Sequence, residues 1–492
     1  MRKINIAVLS DVSSDRIAGK IAKEIRKGSA LGIENVFELE TKDSAWERSM
    51  DTIKHNDIDF FVTLASPDRI REIRKIKPCK HIFTVGYSET DKPRLEEGFE
   101  EGFRTLRTLR YNMLAVKNVS GAITDFLMIY PEKTYDVFAD ENEWIRSLAA
   151  NMIKRENVRH AQSIEEENHI SVPDEVYEKF HRLGKTLFEK GLLPVVDGGT
   201  YGNFSMMFGG SMYITGRGSD KGDLPRDHIV RINSVEKIEL TEEIELDHLP
   251  KVFARIFYSG KVKPSIDTAI NHALLEGTEF KATVHIHTDR IFADLPMTGY
   301  NYPCGAKEEL DEIMSLARKN PDADILQQYK HGLIILGNDF DDCIKKIEDL
   351  FSGGISARKI NEDEKKEKEF LEWEEHYKKN TKGKNADIDI YDAKNLYVIQ
   401  KGEAKVGFLY IRTRDDTIYF VFYSLEEFTR KKLGLGEKVI DIVSKIARSE
   451  QCGRIGILTT RECNVIPYYE RKGFRITSED EGGSVWMQKE MQ

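Results

Sequence analysis

The chain has 492 residues, of which 40% are hydrophobic and 32% are charged, a composition typical of folded domains and unlike that of a disordered or membrane-embedded chain. Its 74 lysines and arginines stand against 84 aspartates and glutamates, and the net charge of −10 gives no overall field that would draw the protein to nucleic acid or anionic lipid. The N-terminus carries neither a signal-like segment nor an apolar stretch that could span a bilayer. We therefore predict a cytoplasmic protein with no nucleic-acid or membrane partner.

The length predicts about three domains of roughly 100–200 residues each. Five cysteines are scattered along the chain without a Cys-x-x-Cys pair, and they are Cys79, Cys304, Cys343, Cys452 and Cys463. This spacing favours structural thiols over a disulfide framework or a thiolate zinc site.

The first part of the chain alternates between strand-like and helix-like segments. The strand-like segments are apolar and lie at residues 3–10, 35–39, 59–64 and 81–85. This alternation predicts a parallel sheet with helices on its faces, a doubly wound α/β domain. No Gly-x-Gly-x-x-Gly or Walker-type motif is present, so a nucleotide site here would lack its phosphate-binding loop, and the role of this domain stays open.

Further along the chain, two histidines share one predicted strand. Alternate side chains of residues 283–288 face opposite sides, so the apolar ones would enter a core while His285 and His287 share the other face. His331 begins a second apolar strand, and Gly332 beside it would allow a close backbone approach. Three imidazoles can hold a divalent metal and leave a position open for water or substrate. Taken alone, a His-x-His pair is equally well explained as two structural histidines.

Five short motifs around these histidines occur in an order that is found in one family. They are Gly198-Gly-Thr-Tyr-Gly-Asn-Phe-Ser205, Met212-Tyr-Ile-Thr-Gly-Arg-Gly218, Pro264-Ser-Ile-Asp-Thr268 and the two histidine segments. The region resembles the class II aldolase/adducin family, which includes L-fuculose-phosphate aldolase and L-ribulose-5-phosphate 4-epimerase.

The resemblance implies metal-dependent chemistry beside a carbonyl group. His285, His287 and His331 match the family's zinc ligands. Asp267 matches its acidic residue, which coordinates the metal or moves a proton. Breaking or making a C–C bond beside a carbonyl leaves an enediolate, which Zn²⁺, or another divalent metal such as Mn²⁺, stabilises as a Lewis acid.

The family's phosphate site consists of backbone amides, hydroxyls and a side-chain amide. By resemblance it would use Asn203, Thr215, Gly216 and Ser265. Where the family commonly has two serines before the acid, this chain has Ser265 and Ile266. A lost hydroxyl donor costs about 1–3 kcal/mol when a buried acceptor stays unpaired, so a smaller or unphosphorylated substrate is an alternative.

A second departure lies after the histidine pair. The chain is much shorter than the family between His287 and Gly305-Ala-Lys-Glu-Glu-Leu310, a segment that resembles the family's Gly-Thr-x-Glu-Leu helix start. The aldolases carry a tyrosine proton donor in the missing part. Tyr300 and Tyr302 lie in the loop that remains, and the sequence does not decide whether either corresponds to that donor. The reaction therefore stays open between aldol cleavage, epimerisation and dehydration. Because the family's site commonly lies between subunits, a homo-oligomer is implied.

A run of mixed charge at residues 361–377 predicts a solvated helical linker, which residues 381–385 interrupt. Three strand-like segments with short turns follow and predict an antiparallel meander. Next comes Lys431-Lys-Leu-Gly-Leu-Gly436, at the start of a predicted helix. Two glycines there let backbone amides face an anion, and the lysines add positive charge, so this turn predicts a pyrophosphate site.

This turn resembles the acetyl-CoA loop of the GNAT superfamily, Arg/Gln-x-x-Gly-x-Gly/Ala, and Tyr469-Glu-Arg-Lys-Gly-Phe474 matches a helix end of the same superfamily. By resemblance Tyr469 would protonate the departing CoA thiolate. The residues that would bind acetyl-CoA are Lys431, Lys432, Gly434, Leu435 and Gly436. Lys431 replaces the usual Arg, and Glu462 stands where many members have Asn. A degenerate domain that binds CoA or nothing is therefore an alternative.

The sequence thus predicts an α/β multidomain protein. Its predicted parts are an N-terminal parallel-sheet domain at 1–165, a central α/β/α class II aldolase-like domain at 166–355, a charged linker at 356–386 and a C-terminal α+β GNAT-like domain at 387–492.

The predicted function is that of a bifunctional enzyme. It would carry out aldolase- or epimerase-type chemistry on a sugar, a sugar phosphate or a small hydroxycarbonyl compound, and transfer an acetyl group from acetyl-CoA to an amine acceptor. The alternative is a non-catalytic, adducin-like oligomeric scaffold whose GNAT domain acetylates a protein or a small amine.

Overall fold

In a computed structural model, the chain is described at residues 4–10, 20, 23, 33–40, 43–56, 60–63, 83–92, 95–109, 113–120, 123–130, 134–138, 140–156, 160–196, 199–238, 252–360, 364–367, 370–372, 396–414, 416–425, 434–460, 465–479 and 484–491. The chain divides into two compact units. One consists of Met1–His160 with Ile238–Phe253, and the other of Ala161–Lys237 with Ala254–Gln492. The predicted C-terminal domain and the predicted central domain, apart from residues 238–253, thus fall into one unit.

The first unit contains a sheet with helices between its strands. Its described elements are β1 (Ile4–Ser10), β2 (Ile33–Glu40), α1 (Asp43–His55), β3 (Phe60–Thr63), β4 (Phe83–Thr90), α2 (Leu95–Leu109), β5 (Met113–Ser120), β6 (Ile123–Tyr130), β7 (Thr134–Phe138) and α3 (Glu141–Glu156). These described strands pair in the order β2-β1-β3-β4-β5-β6-β7. Neighbours from β2 to β5 are parallel, whereas β5–β6 and β6–β7 are antiparallel hairpins. The sheet is therefore mixed, and its doubly wound character stays a prediction.

The central part of the second unit is a sheet covered by helices. Its elements are β8 (His160–Glu167), α4 (Asp174–Glu189), β9 (Val195–Val196), β10 (Gly199–Thr200), β11 (Asn203–Phe208), β12 (Ser211–Thr215), β13 (Ile229–Lys237), β14 (Val252–Ser259), α5 (Thr268–Gly277), β15 (Ala282–His287), β16 (Ile291–Phe292), α6 (Lys307–Lys319), β17 (Ile325–Gln328), β18 (Gly332–Gly337), α7 (Phe340–Gly353) and β19 (Ile355–Lys359). The described strands of the main sheet pair in the order β17-β18-β15-β11-β12-β13-β14-β8.

Apolar side chains on the two faces of this sheet enter separate cores. Val284 and Ile286 of β15 are fully buried with residues of α4 and α7 such as Phe180 and Phe340. Ile334 of β18 packs on the other face with residues of α5 and α6. The alternation predicted for β15 is confirmed, and the central part has the expected α/β/α layering.

The C-terminal part of the second unit is a sheet with two flanking helices among its described residues. Its elements are β20 (Leu396–Lys401), β21 (Ala404–Arg414), β22 (Thr417–Ser424), α8 (Leu435–Ser449), β23 (Arg454–Thr460), α9 (Ile466–Arg471), β24 (Arg475–Glu479) and β25 (Ser484–Glu490). The predicted antiparallel meander β20-β21-β22 is confirmed. The described sheet has the order β16-β19-β20-β21-β22-β23-β25-β24, so two strands of the central part extend it.

The central and C-terminal parts share one apolar core. Ile291 and Tyr329, which belong to the central part, are buried with Val439 and Ile442 of α8. Strand β19 starts at residue 355, the predicted end of the central domain, and pairs along its whole length with β20. Of the predicted linker helix at residues 361–377, the structure describes residues 364–367, which contain a 3-10 turn at Glu364–Lys366, and residues 370–372. The remainder lies outside the described residues.

None of the helices in the described ranges combines the length and the apolarity needed to cross a lipid bilayer.

Candidate metal centre

Three imidazoles converge at the end of β15. The ring centroids of His285, His287 and His331 lie 4.7–4.9 Å from one another. Each ring offers one nitrogen, and these three nitrogens lie within 4.8 Å of one another. The convergence that the sequence predicted is therefore present.

The backbone around Gly332 explains how a residue from another strand reaches the histidine pair. In the antiparallel register of β15 and β18, Gly332 lies opposite His287. A Cβ atom at Gly332 would lie 2.1 Å from the carbonyl oxygen of Ile286, so only glycine permits this approach. Lys330, with a φ of 52°, turns the chain just before the strand. His331 therefore enters beside the other two imidazoles.

His285 has the donor arrangement of a metal ligand. Its Nδ1 lies 3.0 Å from the carbonyl oxygen of Leu333, which fixes the proton on that nitrogen and leaves Nε2 as an acceptor. Nε2 is buried and has no hydrogen-bond partner within the described part of the chain. Burial, assisted by His331, lowers the pKa of His285 to about 3. The ring is therefore neutral, as metal binding requires.

Glu309, which the sequence analysis did not single out, orients the third imidazole. Its Oε1 lies 3.1 Å from His331 Nδ1, and its Oε2 accepts a hydrogen bond of 3.0 Å from the backbone N–H of Gly305. Burial acts to lower the pKa of His331, but Cys304 and Glu309 raise it well above its ordinary value. Carboxylate–histidine pairs of this kind set the ring orientation of metal-binding histidines. The family motif at residues 305–310 contains Glu309 and was the sequence signal that could have identified it.

Asp267 is the N-cap residue of α5, but its side chain makes no capping hydrogen bond. Its Oδ2 accepts a hydrogen bond of 2.7 Å from Asn203, while Oδ1 is buried without a partner among the residues that the structure describes. Asn203 in turn accepts a hydrogen bond of 2.6 Å from Asn271. Burial, followed by the charge of Glu309, raises the pKa of Asp267 to about 6. The amide chain thus holds one oxygen of this carboxyl group and leaves the other available.

The other residues of the predicted phosphate site have defined contacts. The hydroxyl oxygen of Thr215 accepts a hydrogen bond of 3.2 Å from the N–H of Phe204. The N–H of Gly216 donates to the carbonyl oxygen of His228 at 2.7 Å, so this amide is already engaged. The hydroxyl of Ser265 lies 3.4 Å from the N–H of Asp267. Their role in substrate binding stays a prediction.

Lys221 is a buried cation that the sequence analysis missed. Its Nζ donates to the carbonyl oxygen of Thr200 at 2.7 Å and to that of Ser219 at 3.3 Å. Burial, opposed by the charges of Asp220 and Asp267, lowers its pKa to about 8. The side chain links the loop before Asn203 to the loop after Thr215. Only tertiary structure identifies this role, because a single lysine among surface-like residues gives no sequence signal.

The predicted acetyl-CoA loop is partly described. Lys431 and Lys432 lie outside the described residues. Gly434, with a φ of 61°, precedes the first turn of α8, and Leu435 is fully buried. A Cβ atom at Gly436 would lie 2.9 Å from the hydroxyl oxygen of Tyr468, so a tyrosine borders this turn.

The strands beside this turn separate. The parallel register of β22 and β23 covers Thr417–Phe420 against Arg454–Ile457, although both strands continue further. Backbone groups beyond that point can therefore pair with a ligand. Tyr469, the predicted proton donor, is 7% exposed and contacts the rings of Phe420 and Phe474.

Two family models match the chain. The Class II Aldolase and Adducin N-terminal domain matches residues 178–353, and the Acetyltransferase (GNAT) family matches residues 358–474. A search of curated proteins finds no match.

Solved structures give partial similarities. A putative aldolase/epimerase/decarboxylase, YgbL of Klebsiella pneumoniae, is 18% identical over 36% of this chain and 84% of its own, with a TM-score of 0.27. The L-fuculose-1-phosphate aldolase of Thermus thermophilus is 18% identical over 34% and 83%, with a TM-score of 0.23. An IAA acetyltransferase of Bacillus cereus is 19% identical over 19% and 76%, with a TM-score of 0.17.

Proposed function

Since residues 178–353 of this chain belong to the class II aldolase and adducin family and residues 358–474 to the GNAT acetyltransferase family, we propose that the protein is a bifunctional enzyme. The central part would act on a sugar, a sugar phosphate or a small hydroxycarbonyl compound through an enediolate. The C-terminal part would transfer an acetyl group from acetyl-CoA to an amine. The proposal also includes a cytoplasmic location and assembly as a homo-oligomer.

The convergence of three imidazoles carries the first half of the proposal. The donor set fits a divalent cation, because His285 presents a buried nitrogen without a partner in the described residues and its two neighbours offer nitrogens within 4.8 Å. His285, His287 and His331 would hold the ion, with Zn²⁺ or Mn²⁺ as the proposed cation. When bound, it would supply the Lewis acidity that an enediolate requires.

Asp267 is the proposed proton-transfer group. Asn203 holds Oδ2 of Asp267 by a hydrogen bond, which fixes the position of the carboxyl group. The second oxygen, Oδ1, has no partner in the described part of the chain. A carboxylate held in this way can take a proton from the carbon beside a carbonyl and return it to the face from which it came, whereas return to the opposite face would need a second acid. Return of the proton to the opposite face would make the reaction an epimerisation, and C–C cleavage would make it an aldolase reaction.

Deuterium exchange tests this half without knowledge of the final product. The metal-loaded protein is incubated in D₂O with phosphorylated and unphosphorylated hydroxycarbonyl compounds. We expect deuterium at the carbon beside the carbonyl of at least one compound, and a loss of at least about a hundredfold in Asp267→Asn. Asp227→Asn, at an exposed ion pair with Lys261, is the matched control. A metal-loaded protein that exchanges no compound would contradict the proposal and favour the scaffold alternative.

The separation of β22 and β23 and the glycine turn before α8 support the second half. The backbone amides of Gly434–Gly436 lie at the N-terminus of α8, a position that favours an anion such as the CoA pyrophosphate. Lys431 and Lys432 would add charge, and Tyr469 would protonate the thiolate. Because Tyr468 borders Gly436, it is a second candidate for that proton.

A thermal-shift titration with acetyl-CoA tests this half. A ligand at about 100 times its Kd should stabilise the folded state by roughly 2.7 kcal/mol. We expect the shift to be lost when Lys431 and Lys432 are both changed to Ala, and to be kept in Lys401→Ala, an exposed lysine at the end of β20. An unchanged melting temperature at saturating acetyl-CoA would remove the transferase claim.

A further inference from the structure

Cys304 lies beside the metal centre. Its Sγ is 3.3 Å from Nε2 of His331, the ring nitrogen opposite the one that faces Glu309. That nitrogen is the one that His331 offers to an ion. The sulfur therefore contacts one of the three imidazoles, although the group of ligand atoms within 4.8 Å of one another consists of the three histidine nitrogens alone. The scattered cysteine spacing had favoured a purely structural thiol here.

The separation of these two atoms suits ligands of one ion. A tetrahedral zinc ion with Zn–N of about 2.05 Å and Zn–S of about 2.3 Å places its nitrogen and sulfur ligands about 3.6 Å apart. The observed 3.3 Å is close to that value. Nε2 of His285, in the cluster that contains His331, is buried and without a partner among the described residues, so the cluster has a lone pair for an electron-pair acceptor.

The loop that carries Cys304 is fixed by the same carboxylate that orients His331. Oε2 of Glu309 accepts the N–H of Gly305 at 3.0 Å, and its Oε1 faces His331 Nδ1. Gly305 has a φ of 70°, and a Cβ there would lie 2.4 Å from the carbonyl oxygen of Ile266, so the turn admits only glycine. The positions of the sulfur and the imidazole are thus coupled through Glu309.

We propose that Cys304 is a fourth protein ligand of the ion in the substrate-free state. The sulfur forms one bond to the cation, and the thiol proton is released to solvent. This inference rests on the proposed metal centre. A thiolate ligand favours zinc over the harder manganese ion, and it occupies the position that a substrate oxygen must take, by displacement or by expansion to five ligands.

Cobalt substitution tests the bond directly. A full-length protein reconstituted with Co²⁺ is expected to show visible ligand-field bands from the histidines and a near-ultraviolet charge-transfer band from sulfur. The charge-transfer band should be lost in Cys304→Ser and kept in Cys452→Ser, whose sulfur is buried in the core around α8. The ligand-field bands should remain in both variants, and circular dichroism checks that both are folded.

Alkylation of the zinc-loaded protein gives an independent reading. Peptide mapping should show Cys304 labelled at least about tenfold more slowly with zinc than after chelation, because a bound thiolate is a poorer nucleophile and is shielded. Equal labelling with and without zinc, or a charge-transfer band that persists in Cys304→Ser, would overturn the inference while leaving the metal centre intact. Absence of all cobalt bands in the wild-type protein would overturn the proposed metal centre and this inference together.

Discussion

Glu309 shows how one buried carboxylate can organise a site made from distant segments. It is 2% exposed and accepts hydrogen bonds from Gly305, Gln328 and His331. A carboxylate has two acceptor oxygens, and all three donors need them. The geometry of the third imidazole therefore depends on the charge and on the shape of this side chain.

We expect Glu309→Gln to weaken metal binding by about 10–100-fold, because the amide NH₂ would face a donor and His331 would lose its orienting charge. Competition with a chelating dye measures this affinity. Glu308→Gln, at the preceding and partly exposed position of α6, is the matched control. Equal affinity in the two variants would show that the carboxylate does not position the ligand.

Lys221 makes the free energy of unfolding depend on pH, and its lowered pKa determines the sign of that dependence. Burial lowers its pKa to about 8 in the folded state from the ordinary value of 10.5. Between these values the unfolded chain binds more protons than the folded one, so the free energy of unfolding rises with pH across this window. The full change is about 3 kcal/mol.

Denaturation of the wild type and of Lys221→Met between pH 7 and pH 10.5 checks this sign. We expect the free energy of unfolding of the wild type to rise relative to that of the variant as pH increases. Lys261→Met, which removes an exposed partner of Asp227, should show no such relative change. A relative fall in wild-type stability would contradict the burial argument.

Sequence reasoning reached the histidines, but it missed three of their neighbours. His285 and His287 could be found because the period of two in a strand places them on one face. Glu309, Cys304 and Lys221 meet the site only through tertiary contacts, and a lone Glu, Cys or Lys carries no periodic signal. The family motif around Gly305 was the one hint of Glu309, and the cysteine spacing pointed away from Cys304.

At the scale of elements, β15 and β18 determine whether the centre exists. Their register brings Gly332 against the carbonyl oxygen of Ile286 and so sets the place of His331. Alternating apolar residues predicted β15 and an apolar run predicted β18, but the register and the adjacency of the two strands are tertiary facts. The segment after β15 is shorter than in the class II aldolase/adducin family, which the sequence alone shows. What the sequence did not indicate is that its residues Ile291–Phe292 form a strand of the C-terminal sheet.

Gly332→Ala should damage the centre through the backbone alone. A methyl group 2.1 Å from the carbonyl oxygen of Ile286 forces the two strands apart, so we expect metal affinity to fall at least about tenfold and the free energy of unfolding to fall by about 1–3 kcal/mol. Gly353→Ala, where the added methyl meets nothing within 4 Å, is the control. Chelator competition and urea denaturation measure both quantities. Unchanged metal affinity in Gly332→Ala would argue against this register.

At the scale of the molecule, the second unit joins its two family domains in one core. Lys445 of α8 donates to the carbonyl oxygens of Phe292, at 2.6 Å, and Ala293 in the central part. The hydroxyl of Tyr329, two residues before His331, donates a hydrogen bond to the carboxylate of Glu450, just after α8. Charge runs in the sequence marked a linker near residue 361, but the shared core could not be predicted because its members are far apart along the chain.

We expect Lys445→Met to lower the free energy of unfolding by about 1–3 kcal/mol, since two carbonyl oxygens lose their buried donor. Lys438→Met on the same helix removes only an ion pair with Asp294 at the surface and should cost less than about 1 kcal/mol. Chemical denaturation followed by tryptophan fluorescence measures both. Equal losses in the two variants would mean that the contact with Phe292 and Ala293 contributes little.

Metal analysis of the purified full-length protein is the most direct test of the account. After reconstitution and removal of loosely bound ions, we predict close to one zinc ion per chain, lost in His285→Ala and in His331→Ala and retained in His272→Ala, a histidine that pairs with Glu276 on α5. A wild-type protein that keeps no divalent metal, or histidine variants that keep as much as the wild type, would contradict the claim that two imidazoles of β15 and the imidazole just before β18 hold one catalytic cation.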